Sequence, residues 1–208
     1  MKYVETICKS MASSLPIQDR TQTLDRTGLR SNNPEYIILH STRSYPEFPE
    51  LLKSHQNRRF AGMGYHLFIG DSNTIYQGRP LLIEGAHTLG FNTNSIGIGF
   101  YASEEKLDKR KIDLGKIVIN EMRSRYGYIP VVSHTFAQVD YINRLLARNG
   151  LTKRFNVEQD VVEPKKFEAL KRDIDTFVGT LSTEQSGLIK RQMKAFKNCP
   201  GPLFNNFI

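Results

Sequence analysis

The sequence predicts an α/β domain built around a mixed central β-sheet. Two observations carry that expectation. Short apolar runs rich in strand formers alternate with helical patterns as far as residue 134, and the texture then turns to charged amphipathic helices. A chain of 208 residues, 39% hydrophobic and 24% charged, is long enough for one core and ordinary for one globular domain.

In chain order, residues 1–34 are polar and end in Arg30-Ser31-Asn32-Asn33-Pro34, which reads as a leader segment and a turn. Tyr36-Ile37-Ile38-Leu39-His40 is a continuous apolar run, the pattern of a strand buried on both faces. A helix is expected from Pro46 to about Arg58, carrying Leu51, Leu52 and His55. Gly62-Met63-Gly64 leads into a second strand at Tyr65–Gly70, and the Asp71-Ser72-Asn73 turn joins it to a hairpin partner at Thr74–Gln77. Residues 83–94 form a loop. The third strand, Ser95–Tyr101, has glycines at alternate positions, Gly97 and Gly99, so something must pack closely against one of its faces.

A helix follows over 108–126, with Ile112, Ile119 and Met122 on a stripe widened by Leu114, Val118 and Tyr126. Ile129–His134 is the last strand, with Pro130 near its start, where proline is tolerated. Residues 136–149, 164–178 and 184–196 each read as a helix, separated by Asn149-Gly150, Glu163-Pro164 and Ser182-Thr183. No internal repeat interrupts the pattern.

No apolar run approaches the roughly 20 residues that span a bilayer. The first twenty residues lack an apolar signal core, so cytoplasmic synthesis without a signal peptide is expected. A formal net charge of +8 favours polyanionic partners such as nucleic acid, anionic lipid or the acidic polymers of a bacterial wall, and a solvated basic surface explains it equally well. The absence of a dedicated motif and of tryptophan argues against nucleic acid. Two cysteines, Cys8 and Cys199, do not suggest a disulfide framework, which leaves a metal-binding or nucleophilic role open for either.

Three potential metal ligands occupy telling places. His40 ends the first strand, His134 ends the last, and Cys199 precedes a Pro-Gly turn. Two imidazoles and a thiolate suit Zn²⁺ and leave a fourth tetrahedral position for water. A histidine at a strand end is more often a hydrogen-bonded structural residue, and spacing alone does not choose between the readings.

The surrounding text adds a resemblance. Ile37-Ile38-Leu39-His40-Ser41-Thr42, Gly64-Tyr65-His66-Leu67-Phe68-Ile69, Gln77-Gly78-Arg79-Pro80 and the long stretch from Gly85-Ala86-His87 through Asn92 to Ser95-Ile96-Gly97-Ile98 resemble the type 2 N-acetylmuramoyl-L-alanine amidases. That family includes the amidase-type phage lysozymes and the peptidoglycan recognition proteins. The likeness runs in order across 36–101, resumes at 130–134 and returns at 197–201.

The resemblance implies a central mixed sheet with helices on both sides and a zinc ion at one sheet edge. It implies a zinc hydrolase that cuts between N-acetylmuramic acid and the L-alanine of the stem peptide, as a bacteriolytic phage endolysin does in cell wall degradation. His40, His134 and Cys199 match its metal ligands. Tyr65 and Lys197 match the catalytic tyrosine and lysine. His87 lies in the loop over the site, either touching the muramyl-peptide or bracing the loop through Asn92 or Asn94. Arg79 is a candidate for a stem-peptide carboxylate, against the plain alternative of a solvated arginine. His66 and His55 read as structural.

The departure from the family is the 65-residue step from His134 to Cys199, which makes 136–196 a helical insertion within a single domain of 1–208. Asp140 is the rival third ligand. Alternative functions are a non-catalytic peptidoglycan-binding module and a role for residues 136–196 in docking a protein partner.

Overall fold

The computed structural model describes residues 17–103, 106–156 and 164–198, together with Phe204 and Phe207. Six strands form one mixed sheet: β1 (Ile17–Asp19), β2 (Tyr36–Ser41), β3 (Leu67–Ile69), β4 (Ile75–Gln77), β5 (Ser95–Phe100) and β6 (Val131–Ser133), in spatial order β1-β4-β3-β5-β2-β6. Only the β3–β4 hairpin is antiparallel. Five α-helices accompany the sheet: α1 (Phe48–Asn57), α2 (Lys109–Tyr126), α3 (His134–Arg148), α4 (Pro164–Val178) and α5 (Thr183–Asn198).

The strands sort their side chains by the two-residue period. Ile37, Leu39, Ile96, Ile98, Phe100 and Val131 pack with Val118, Ile119 and Met122 of α2 on one face. That side also holds Phe204 and Phe207, which lie against Phe100. On the opposite face Phe68 packs under Phe48 and Leu51 of α1, while Ile38 and Val132 pack against Ala137 of α3. The α/β expectation holds, and so does the burial of β2 on both faces.

Local chemistry sets the helix ends. The Asp108 carboxylate accepts from Lys111 N at 2.8 Å and starts α2, and Gly127, with φ at 75°, follows its last residue. The Ser133 hydroxyl accepts from Phe136 N at 3.2 Å, so the residue that closes β6 also caps α3. His134 is therefore the first residue of a helix, where a strand end was expected.

Two expectations about chain organisation change. Residues 17–34 are not a detached leader: β1 pairs in parallel with β4 at the sheet edge, and Asn32 is buried beneath the sheet's rim. The Asn32 amide donates to Leu81 O at 2.8 Å and Ser95 O at 3.0 Å, two carbonyls remote in sequence. A three-residue strand with two exposed polar positions has too little pattern to be read from sequence. The helical segment 136–196 also divides. One side of α3 belongs to the sheet's core through Ala137, and the other, through Val139, Ile142 and Leu146, builds a second core with Phe155, Phe167 and Ile174. Only α4 and α5 stand apart from the sheet.

Replacing Asn32 by alanine would orphan two buried carbonyls at about 1–3 kcal/mol each. Urea unfolding of Asn32→Ala is expected to show a loss of about 2–4 kcal/mol, whereas a loss below about 0.5 kcal/mol would mean that the segment is dispensable.

Candidate metal and catalytic site

The site begins with strand register. β2 and β6 are parallel neighbours with Leu39 opposite Ser133, so the residue that follows each, His40 on β2 and His134 at the start of α3, emerges at the same rim. Their ring centroids are 4.4 Å apart, and both side chains are buried.

β5 supplies the floor. A Cβ on Gly97 would stand 2.6 Å from the His87 ring, and one on Gly99 would stand 2.8 Å from the Tyr65 ring. Real side chains do not approach that closely, so the alternate glycines are what seats His87 and Tyr65 against the strand. His40 is the register partner of Gly99 and completes the cluster. Its Nε2 is 3.0 Å from His87 Nδ1 and 3.3 Å from Thr88 Oγ1, and its ring lies 4.9 Å from that of Tyr65.

The loop that carries His87 is fixed by Asn92. Its carboxamide oxygen accepts from the backbone N–H of His87 and of Thr88, both at 2.9 Å, and its carbonyl accepts from Gly85 N at 2.8 Å. Asn92, expected as a substrate-binding residue, has its side-chain oxygen committed to the loop that carries His87.

These groups open onto a cleft of about 530 Å³ between α1 and the start of α3. His134, His87 and Tyr65 line it together with Ser54, Arg43 and Arg58, and no acidic side chain does so among the described residues. Burial, reinforced by the neighbouring imidazoles, holds His40 and His87 well below the ordinary histidine range, and burial holds His134 down to about 4. At neutral pH all three are uncharged imidazoles, the form that donates a lone pair to a metal ion.

Zinc is the metal the resemblance implies, and one observation tests the fit. His134 Nδ1 is buried without a hydrogen-bond partner among the described residues. A buried, unpaired imidazole nitrogen beside a second histidine is a coherent half of a zinc site. Among the described residues no three histidine, cysteine or carboxylate side chains form a complete ligand set. Cys199 lies outside the described residues, as does the side chain of Lys197. Asp140 is not brought to the histidines: its carboxylate pairs with Arg144 at 3.0 Å on a half-exposed part of α3.

Arg79 also sits elsewhere than expected. It is 1% exposed, donates to Met63 O and to Glu84 O, and does not line the cleft. A guanidinium committed to backbone carbonyls ties the segment before Tyr65 to the loop before His87, which is a positioning role. His55 and His66 both accept backbone bonds, Gly64 N donating to His55 Nδ1 at 2.8 Å and Gly97 N to His66 Nδ1 at 3.0 Å, and His55 also lines the cleft. The sequence reading passed over Thr88 and Gln138. Thr88 follows His87 directly, and Gln138 stands one helical turn after His134, with its Nε2 3.2 Å from His134 Nε2.

Comparison with known proteins gives the family and supports the fold. The family described as N-acetylmuramoyl-L-alanine amidase matches residues 30–202. Peptidoglycan-recognition protein 2 of Holotrichia diomphalia is 38% identical over 94 residues, covering 39% of this chain and 50% of that protein. The endolysin of Enterobacteria phage T3 is 31% identical over 83 residues, covering 38% of this chain and 54% of that protein. The matches thus span about half the length of these relatives. Among solved structures, the N-acetylmuramoyl-L-alanine amidase LysC from Clostridium intestinale URNW superimposes with a TM-score of 0.54 at 26% identity, covering 58% of this chain and 83% of that one.

The buried histidines make stability depend on pH with a definite sign. His66 accepts from Gly97 N through Nδ1 and donates through Nε2 to Ile83 O at 2.8 Å, which requires the neutral ring, and burial lowers its pKa from 6.5 to about 4. The unfolded chain therefore binds more protons than the folded one between these values. Stability is fully present above about pH 6.5 and falls as the pH drops toward 4. Denaturant titrations across that window are expected to show this fall in wild type. In His66→Asn the slope should be shallower by up to one proton, about 1.4 kcal/mol per pH unit, and an unchanged slope would contradict the assignment.

Proposed function

Because this chain belongs to the N-acetylmuramoyl-L-alanine amidase family, we propose that it is a zinc-dependent peptidoglycan hydrolase that cleaves the amide between N-acetylmuramic acid and the L-alanine of the stem peptide. The observation that carries this reading is the pairing of His40 with His134 at one rim of the sheet, next to an unpaired Nδ1 and a cleft that Tyr65 and His87 line.

His40 and His134 would hold the ion, with Cys199 as the third ligand. Phe204, five residues beyond Cys199 in sequence, packs on Phe100, the last residue of β5 and the register partner of Ser41. Bound zinc supplies Lewis acidity toward the amide carbonyl and lowers the pKa of water to roughly 7. Tyr65, pressed onto Gly99 at the cleft wall, donates its phenol hydrogen to the oxygen on which charge develops. The Lys197 ammonium would share that charge or protonate the departing nitrogen. His87 stands beside His40 at the cleft, where it would contact the muramyl-peptide. Arg43 and Arg58 give the cleft a positive character suited to an acidic stem peptide.

Among the relatives, an endolysin favours a lytic role in which the enzyme reaches the wall after release from the cell. The recognition proteins favour a second reading, binding of the muramyl-peptide without cleavage.

Zinc-loaded protein is expected to release stem peptides from purified wall, and chelation should abolish the release. Tyr65→Phe should retain the metal while losing about 10²–10³ in kcat. Cys199→Ser should lose most of its zinc on dialysis and Asp140→Asn should keep it. Equal wall solubilisation by chelated and zinc-loaded protein would overturn the hydrolase, and wall binding without release would establish the recognition reading.

A further inference from the structure

We propose that Gln138 is a positioning residue for this site: its side-chain oxygen accepts the proton of His134 Nε2 and so leaves the Nδ1 lone pair for the metal. This rests on the zinc reading above and concerns a residue of α3 that reaches no substrate.

The argument starts from the helix. His134 opens α3 and Gln138 follows four residues later, so the two side chains share one face. Both are buried, at 8% and 3% exposure. Gln138 Nε2 lies 3.2 Å from His134 Nε2, and two further atoms of the pair, His134 Nδ1 and Gln138 Oε1, are buried with no partner among the described residues. A carboxamide's nitrogen and oxygen are told apart only by the hydrogen bonds they make.

Two arrangements are available. With the amide nitrogen toward the ring, it donates to Nε2, and the single proton of the neutral imidazole must then sit on Nδ1. That strands a buried donor at Nδ1 and a buried acceptor at Oε1, each at about 1–3 kcal/mol. Rotating the carboxamide by a half turn places the oxygen against Nε2. The ring proton then resides on Nε2 and is accepted, while Nδ1 keeps a lone pair. The amide nitrogen then takes the buried position of the oxygen, at a cost of the same order, so what separates the two arrangements is the lone pair freed at Nδ1. A neutral imidazole that binds metal through Nδ1 must carry its proton on Nε2, so only the second arrangement is compatible with coordination. Outer partners that fix a ligand's tautomer in this way typically govern metal affinity by 10–100-fold.

The test uses the full-length chain. In zinc-free wild type, ¹⁵N–¹H correlation spectra of the His134 ring are expected to show the Nε2–H tautomer. Gln138→Glu offers only acceptor oxygens, so it should keep that tautomer and bind zinc as tightly as wild type or more so, by chelator competition. Gln138→Leu should lose the tautomer preference and weaken zinc binding about 10–100-fold. An Nδ1–H tautomer in wild type, or equal weakening by Glu and Leu, overturns the assignment while leaving the zinc site standing. If wild type binds no zinc at all, the metal reading fails and Gln138's role toward it fails too. Should the leucine variant not fold, the wild-type tautomer and the glutamate variant still decide.

Discussion

The parallel pairing of β2 with β6 is the constraint on which the site depends. Registering Leu39 against Ser133 makes His40 on β2 and His134 at the start of α3 the residues that follow, and the parallel strands end at the same rim. Ser133 then caps α3, so the chain cannot drift after leaving the sheet: His134 is locked into the first turn of a helix while still beside β2. A one-residue slip in that register would turn one imidazole to the opposite face.

Around that pair the protein concentrates groups that a stability-driven core would avoid. His40, His55, His66 and His134 are buried, and His87 is partly so, where hydrocarbon would pack without needing partners. Each requires a neutral ring and polar neighbours, and the two glycines of β5 give up side-chain packing so that His87 and Tyr65 fit against the strand. The compensation lies elsewhere, in the apolar cores against α2 and between α3, α4 and α5. This distribution is the usual signature of a functional site carried by an otherwise well-packed scaffold.

Much of this was legible before the structure. Apolar runs located β2 and β5, and the helix over 108–126 agrees with α2 to within a residue at its start. The Gly97–Gly99 alternation announced a close approach on one face of β5, though not that imidazole and phenol rings would make it. Only once His134 opens α3 does helical phase bear on Asp140, the rival ligand of the sequence: six residues is about 600° of rotation, well off the same face. Gln138, at four residues, satisfies that phase. Arg79 illustrates the opposite case, because nothing in Gln77-Gly78-Arg79-Pro80 reveals that its guanidinium is buried on two carbonyls.

By itself the sequence determined what depends on local pattern and residue chemistry: the α/β class, the order of the strands and helices from β2 onward, the imidazole and thiol side chains offered as candidate ligands, and the family likeness. The tertiary structure decided everything that depends on which distant segments touch. It recruited residues 17–34 into the sheet, set α3 between two cores, buried Arg79, drew Asp140 away to Arg144, and joined His134 to Gln138. Periodicity reports which face of an element is apolar, whereas register and packing choose the partner across the gap, and partnership is what turns a histidine into a ligand or a brace.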